Sequence, residues 1–338
     1  IKFDAIGKFY SDKFEKLDPL DLISGEKIFL KYKPDAISSD ACDYSNYLKN
    51  FLCTKYNLPC EGLYQASLSC NKYRVREICS QNNILQPRFS ICKNLKEVEQ
   101  FLEKIDFPLI MKPLDGRGSI GVNIVNSKRD MDKKFYDTLM HSRHKEIIVE
   151  SYIEGIHFTV DGIFDHEGNF YNIGIAKKNI IEKNNRPIIL EVNYPAQFKE
   201  NKIKSIFKIN SKLVSVLGFR KGLTHSEYIM DDKERVFLVE TTNRGGGVLT
   251  SSLILEKLCK ININDYLINL SLNISKKIKP NFTKNIVNLR FLNFKPGKVK
   301  NIELNQKYKK NILYYKLNFK KGDLIKIPTS GADRHGFI

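Results

Sequence analysis

Residues 237 to 247, FLVETTNRGGG, run from an apolar strand into a carboxylate, an amide, a guanidinium and then Gly245, Gly246 and Gly247. A strand that ends this way places polar groups where burial has begun, and each then needs a partner. Upstream, THSEYIMDDKERVFLVETTNR (224 to 244) carries two apolar strands around the polar turn Asp231 to Glu234, the pattern of a β-hairpin. With the turn centred near Lys233 and Glu234, Glu227 falls opposite Glu240 on the same face. Like charges directly opposite need a proton or a cation between them. Mg²⁺, or Mn²⁺ in its place, suits such a pair, since it prefers oxygen ligands and is commonly held by one or two carboxylates together with substrate phosphates. Asn243 would add a neutral oxygen to the metal. Arg244 supplies a guanidinium that can hold a carboxylate or phosphate, or neutralise charge as a phosphoryl group transfers. The three glycines let backbone and a small substrate approach closely. Two unrelated glutamates on a solvated hairpin are the competing reading, weakened because both strands are otherwise apolar.

KPLDGRGSIGV (112 to 122) is a second chemical stretch. Gly116, Gly118 and Gly121 let successive N–H groups point one way, a nest for phosphate oxygens, and Lys112 puts charge just before the loop. No Gly-Lys-Ser/Thr follows and the next segment has strand character, which excludes a Walker loop. An ordinary glycine-turn hairpin competes on this stretch alone.

The elements that must position these groups follow from periodicity. Residues 25 to 110 alternate apolar runs at 27 to 30 and 57 to 64 with helical stretches at 43 to 53 and 70 to 81, which predicts an N-terminal α/β, Rossmann-like domain. Leu95, Val98, Phe101 and Leu102 give 93 to 104 an amphipathic helix. Residues 106 to 127 predict strand, glycine turn, strand. From 147 onward β dominates, with strands near 147–152, 157–164, 170–176, 223–230, 235–241, 286–294 and 311–328, and helices over 202–217 and 251–259. Within 305–328 the alternation of Leu313, Tyr315, Leu317 and Phe319 with polar residues predicts a half-buried strand turning at Gly322-Asp323 rather than a single-strand binding surface. Stretches 177–201 and 262–285 carry little pattern and are expected to be substrate-specifying loops.

Length and composition bound the rest. The chain has 338 residues, 42% hydrophobic, enough for two or three domains. No apolar run approaches the roughly 18 residues that span a bilayer, and the N-terminus has no signal-peptide layout. The chain starts without Met and ends on GFI within an apolar stretch, so edge elements are expected to lie beyond it. Seven cysteines at wide spacing fit neither a zinc ribbon nor a disulfide framework, so reduced thiols and a cytoplasmic setting are expected. The net charge of +18 is spread over dispersed lysines, which argues against a nucleic-acid surface despite its size.

Taken together, the Lys-Pro strand with its glycine loop, the acidic hinge Glu150-Ser151-Tyr152-Ile153-Glu154-Gly155, and paired glutamates followed by Asn and Arg resemble the ATP-grasp superfamily, most closely its carboxylate-amine ligases. The resemblance covers roughly residues 25 to 260. It implies an ATP-grasp fold with an N-terminal domain (1–85), a small lid (86–150) and a larger antiparallel C-terminal domain (151–338), ATP lying between the last two. It further implies that Lys72 and Lys112 contact ATP phosphates, with Gly116 to Gly121 folding over them and Ser119 as a donor. Glu150 and the Tyr152-Ile153 backbone would read the adenine edge. Glu227, Glu240 and Asn243 would coordinate Mg²⁺, and Arg244 would steady the acyl phosphate or the attacking carboxylate. Many relatives place a ribose-binding Glu shortly after the hinge glycine; here the position falls near His157, with Glu154 as competitor. Asn71 stands where the family commonly has Asp. The implied partners are small carboxylic acids and amines, no membrane, and a second subunit in a homodimer.

Further residues have the type for chemistry with a bland alternative beside each. His141 and His144, expected in one helix, are metal-ligand types on a solvated basic segment. Arg334 and Arg290 are of the kind that reaches an anionic substrate, against surface or packing roles. His225, two before Glu227 on the same face, would orient the substrate.

Overall fold

The structure, a computed structural model, describes residues 6–116, 118–183, 186–328 and 334–338. The N-terminal segment is helical where strands were expected: α1 (Leu22–Tyr32), α2 (Asp43–Lys55), α3 (Leu63–Leu68) and α4 (Lys72–Gln81). The run at 27–30 lies within α1, because Gly25 and Phe29, four apart, form its buried side and the Asp21 carboxylate accepts from the Ser24 N–H at 3.0 Å to start it. The run at 57–64 is broken by Pro59 and by Gly62, which precedes α3 with φ 113°. The described residues before β1 therefore form no Rossmann-like sheet.

A four-stranded antiparallel sheet follows. It comprises β1 (Phe89–Cys92), β2 (Leu109–Pro113), β3 (Asn123–Val125) and β4 (Ile147–Ser151) in the order β1-β4-β2-β3. Helices α5 (Leu95–Leu102) and α6 (Lys128–Met140) cover it through Val98, Phe101 and Phe135 against Met111 and Val149. The β2–β3 pair has Leu109 opposite Val125, with the glycine loop as its connection.

The second sheet holds β5 (Ile156–Phe164), β6 (Phe170–Lys183), β7 (Arg186–Tyr194), β8 (Leu223–Met230), β9 (Val236–Thr242) and β10 (Val287–Arg290), ordered β10-β7-β6-β5-β8-β9. One face buries Phe158, Val160, Tyr228 and Leu238 under α7 (Glu200–Val216), which supplies Ile206, Leu213 and Val214. The other buries Ala176, Val192, Tyr194 and Leu289 under a π-helical turn at Thr250–Leu255, then α8 (Glu256–Cys259) and α9 (Ile263–Ser271). The second face also carries the polar groups described below. Gly155 joins the two sheets at φ 156°, where a Cβ would stand 2.1 Å from the Met230 carbonyl oxygen, so no side chain fits there.

Several expectations need correction. The long β6–β7 hairpin and α9 occupy stretches read as loops, 177–201 and 262–285. Residues 311–328 form no continuous strand; only β12 (Lys316–Leu317) and β13 (Leu324–Ile325) pair, with β14 (Gly336–Phe337) and β11 (Gly297–Lys298) respectively. Leu313 and Tyr315 stand 53% and 47% exposed, so their alternation with polar residues does not mark a core. All seven cysteines are free. Among the described residues no helix is long and apolar enough to cross a membrane.

Candidate active site

The β8–β9 register sets Glu227 directly opposite Glu240. That pairing depends on a bulge: Tyr228 opposes Leu238, which leaves Val239 as the extra residue on β9. Without the bulge Val239, not Glu240, would face Glu227. Each carboxylate has its own lysine. Lys178 of β6 lies 2.6 Å from Glu227 and Lys72 of α4 lies 3.1 Å from Glu240. Burial raises both carboxyls, but Lys178 and His225 outweigh it and hold Glu227 well below the usual range, while Lys72 lowers Glu240 against the opposing charge of Glu227.

These four side chains line a cavity of about 120 Å³ together with Lys112, Gly116, Gly118, Ser119 and His157. The Lys72 ammonium also donates to the Gly116 carbonyl at 2.5 Å, tying α4 to the glycine loop. Gly118, Ser119 and Gly121 all take positive φ (60°, 59° and 69°). Gly121 has no room for a Cβ, which would meet His141 at 2.7 Å and Pro113 at 2.9 Å. Opposed carboxylates facing lysines and a curled glycine loop form an oxygen-donor set that fits a divalent cation carrying phosphates.

Glu150 does something other than the hinge reading expected. Its carboxylate, 2% exposed, receives the Arg76 guanidinium at 2.8 and 2.9 Å and the Lys112 ammonium at 2.6 Å, so it faces inward rather than toward a base. Burial would raise its carboxyl, yet Arg76 and Lys112 together hold it at about 2. Arg76 also donates to the Leu238 and Val239 carbonyls at 3.0 and 2.7 Å, fastening the bulge of β9 to β4. Sequence reasoning missed Arg76. Its spacing of four from Lys72, which puts both cations on one side of α4, was the available signal. Asn71, out of pattern for the family, caps α4 by accepting from the Arg74 N–H at 3.1 Å.

Arg244 is committed as well. Asp43 takes its Nε and Nη2 at 2.9 Å each, and Nη1 donates to Gly245 O at 2.9 Å. Asp40, from the loop before α2, accepts from the Gly245 N–H at 2.7 Å and from the Ser251 hydroxyl. Both aspartates escaped the sequence reading, because nothing local marks a partner two hundred residues away. Asn243 does not meet the carboxylate pair in this structure. Its Oδ1 accepts from Asn46 Nδ2 at 2.8 Å and Ser69 Oγ at 2.7 Å, and its buried Nδ2 has no partner among the described residues. A metal-ligand role would require Oδ1 to leave both donors.

The amide chain continues from Asn46 through Asn50 to the N–H groups of Glu61 and Gly62, both 3.1 Å from Asn50 Oδ1. Glu61 and Asn243 line a separate void of about 30 Å³ with Lys49. Burial pushes the Glu61 carboxyl up to about 7, partly offset by the Arg220 N–H that donates to its Oε1 at 2.8 Å. An unfolded carboxyl ionises near ~4.3, so stability falls as pH rises from there through 7, where the folded state must also give up its proton. Glu61→Gln is therefore expected to melt higher than the wild type at pH 8, with the gain gone by pH 4. Thermal melts across that range check it, and a pH-independent difference would contradict it.

The remaining candidates sort by position. His157 lines the cavity, and burial pushes its imidazole down to about 4, which keeps it neutral. His225 donates from Nδ1 to Asp161 at 2.7 Å and lies 3.7 Å from Glu227; burial lowers it, but the two acids lift it to about 9. Tyr194 donates to the same Asp161 at 2.8 Å, so His225 belongs to a buried network under the carboxylates. Tyr152 and Ile153 follow β4 directly, half-buried, and the Tyr152 N–H is used by Pro108 O at 3.2 Å; Glu154 is exposed. His141 and His144 lie beyond the end of α6 and are exposed; neither lines the cavity, and His141 packs against Gly121 of the glycine loop. Arg290 makes an exposed ion pair with Glu191 at 2.6 Å, the surface reading.

Residues 105–252 match the family model of the ATP-grasp domain. Over 208 residues the chain is 24% identical to a D-alanine--D-alanine ligase of Azobacteroides pseudotrichonymphae, covering 58% of this chain and 62% of that protein. The chain thus spans less than two thirds of that relative's length. Among solved structures, an L-amino acid ligase from Bacillus licheniformis superposes with TM-score 0.77 at 20% identity, over 94% of this chain and 77% of that one. An N5-carboxyaminoimidazole synthetase from Staphylococcus aureus, complexed with ADP, gives 0.69 at 17% identity, over 84% and 72%. The paired glutamates and the glycine loop both lie inside the matched residues.

Proposed function

We propose that this chain, an ATP-grasp protein by its domain match and fold, is an ATP-dependent carboxylate-amine ligase that forms an amide or peptide bond and releases ADP and phosphate. One observation carries the reading: Glu227 and Glu240 face each other across β8 and β9 into a cavity that also holds Lys72, Lys112 and the glycine loop. A carboxylate substrate attacks the γ-phosphate of ATP, giving an acyl phosphate and ADP; an amine then displaces phosphate to leave the amide.

Mg²⁺ held by Glu227 and Glu240 would neutralise phosphate charge. Lys72 and Lys112 add fixed positive charge, and Arg76 and Glu150 set where Lys112 points. Ser119 and the loop N–H groups receive phosphate oxygens. Residues 86–150 act as a lid that excludes water from the acyl phosphate. The Ile153 backbone reads adenine, and His157 or Glu154 meets the ribose. With three N–H groups of Arg244 already used, one remains on each terminal nitrogen to steady the transferring group. Screening carboxylic acids and amines in pairs for ADP release tests the reading. ADP formation that needs both partners supports it; ADP formation from ATP alone, or from neither partner, counts against it.

A further inference from the structure

Among the described residues Arg334 is a cation without a paired anion. Its guanidinium sits over Phe291, 3.6 Å from the ring centroid, and its buried Nε has no hydrogen-bond partner among the described residues. Among the described residues no carboxylate comes within ion-pair distance of it. Burial pushes it down to about 10, and Glu227 is the acid whose charge it feels. The sheet explains the approach. Phe291 follows β10 on the side of Leu289, Leu289 opposes Val192, and Val192 opposes Lys178, which pairs with Glu227. Phe291, Lys178 and Glu227 therefore share one face, with Arg334 lying above it. A desolvated guanidinium with an unused donor is unfavourable unless an anion completes it. Arg244, the arginine that the sequence pattern offers for that task, already spends three of its five N–H groups on Asp43 and the Gly245 carbonyl.

We propose that Arg334 binds the carboxylate of the acid substrate, holding it on the strand face beside Glu227. This rests on the ligase reading above. Phosphate is the rival anion, but Lys72 and Lys112 already gather on the glycine-loop side, and Arg334 does not line that cavity.

The test uses Arg334→Gln, with Arg334→Lys as a second variant that keeps the charge but loses the planar stack. Melting shifts are read with Mg²⁺ and a non-hydrolysable ATP analogue, with a panel of carboxylic acids added to that complex, and with orthophosphate. ADP release is measured alongside. At least one acid is expected to raise the wild-type melting point beyond the nucleotide alone, and both variants should lose that increment while keeping the nucleotide shift. Where turnover is seen, KM for the acid should rise about 10- to 100-fold with KM for ATP unchanged. Acid binding that survives in both variants overturns the proposal, as does a panel with no acid that binds the wild type. Loss of the nucleotide or orthophosphate shift instead assigns the arginine to phosphate and also overturns it. Acid binding that depends on Arg334 without ADP release from any pair upholds this inference and removes the ligase reading.

Discussion

Glu240→Gln is expected to lower Mg²⁺-dependent ADP release by about 10²- to 10³-fold, with the fold retained. The substitution removes a charge from the metal side while leaving the shape of β9 intact. It relieves the repulsion with Glu227 directly opposite but also takes the partner from Lys72, whose pull outweighs that repulsion, so the melting temperature should fall somewhat while the fold persists. Lys72 keeps its bond to the Gly116 carbonyl, which holds the loop in place. A coupled ADP assay over a Mg²⁺ titration reads the effect; activity at the wild-type level would discard the metal assignment.

Glu150→Gln carries the largest expected effect on stability. Arg76 and Lys112 are drawn into a poorly hydrated position by this one carboxylate, and removing its charge leaves two cations uncompensated. Breaking a buried pair from one side costs about 3–5 kcal/mol, so the urea midpoint should fall sharply. The bulge of β9, held by Arg76, should loosen with it and activity should drop beyond the loss of folded protein. The pH dependence supplies a second readout. The folded carboxyl titrates at about 2, below its unfolded value, so its contribution is full above ~4.3 and is lost as pH falls toward 2. The wild type should lose stability through that window, and the variant should lack that component. An unchanged urea midpoint would mean that the triad is structurally idle.

The carboxylate pair was legible because a hairpin is a local object: apolar runs, a polar turn and a two-residue period suffice to set Glu227 against Glu240. The bulge at Val239 left no such trace: Met230 opposes Val236, which centres the turn on Lys233, and the count about Lys233 and Glu234 reached the pair because its half-residue offset equals the shift the bulge introduces. The N-terminal strands failed for the opposite reason. A run such as KIFL has no period of its own, and the buried side of its helix shows only when Gly25, four residues before Phe29, is counted with it. Lys178 was missed because 177–201 was read as loop, although Asn184-Asn185 between apolar runs is a hairpin signal. Arg76, Asp43, Asp40 and Asn46 gain their roles only from partners far along the chain: Asp43 meets Arg244 across 201 positions, a distance no periodicity spans. Asn243 shows the converse, a residue in the expected place whose side chain is taken by α2 and Ser69.

The central claim is that Glu227 and Glu240 share a divalent ion under the phosphates of ATP. Crystals grown with Mn²⁺ and a non-hydrolysable ATP analogue, with data collected for manganese anomalous scattering, test it most directly. The expected map has an anomalous peak between the two carboxylates, with phosphate oxygens toward Lys72, Lys112 and Gly116 to Gly121. A nucleotide bound elsewhere, or a peak that touches neither glutamate, would contradict it.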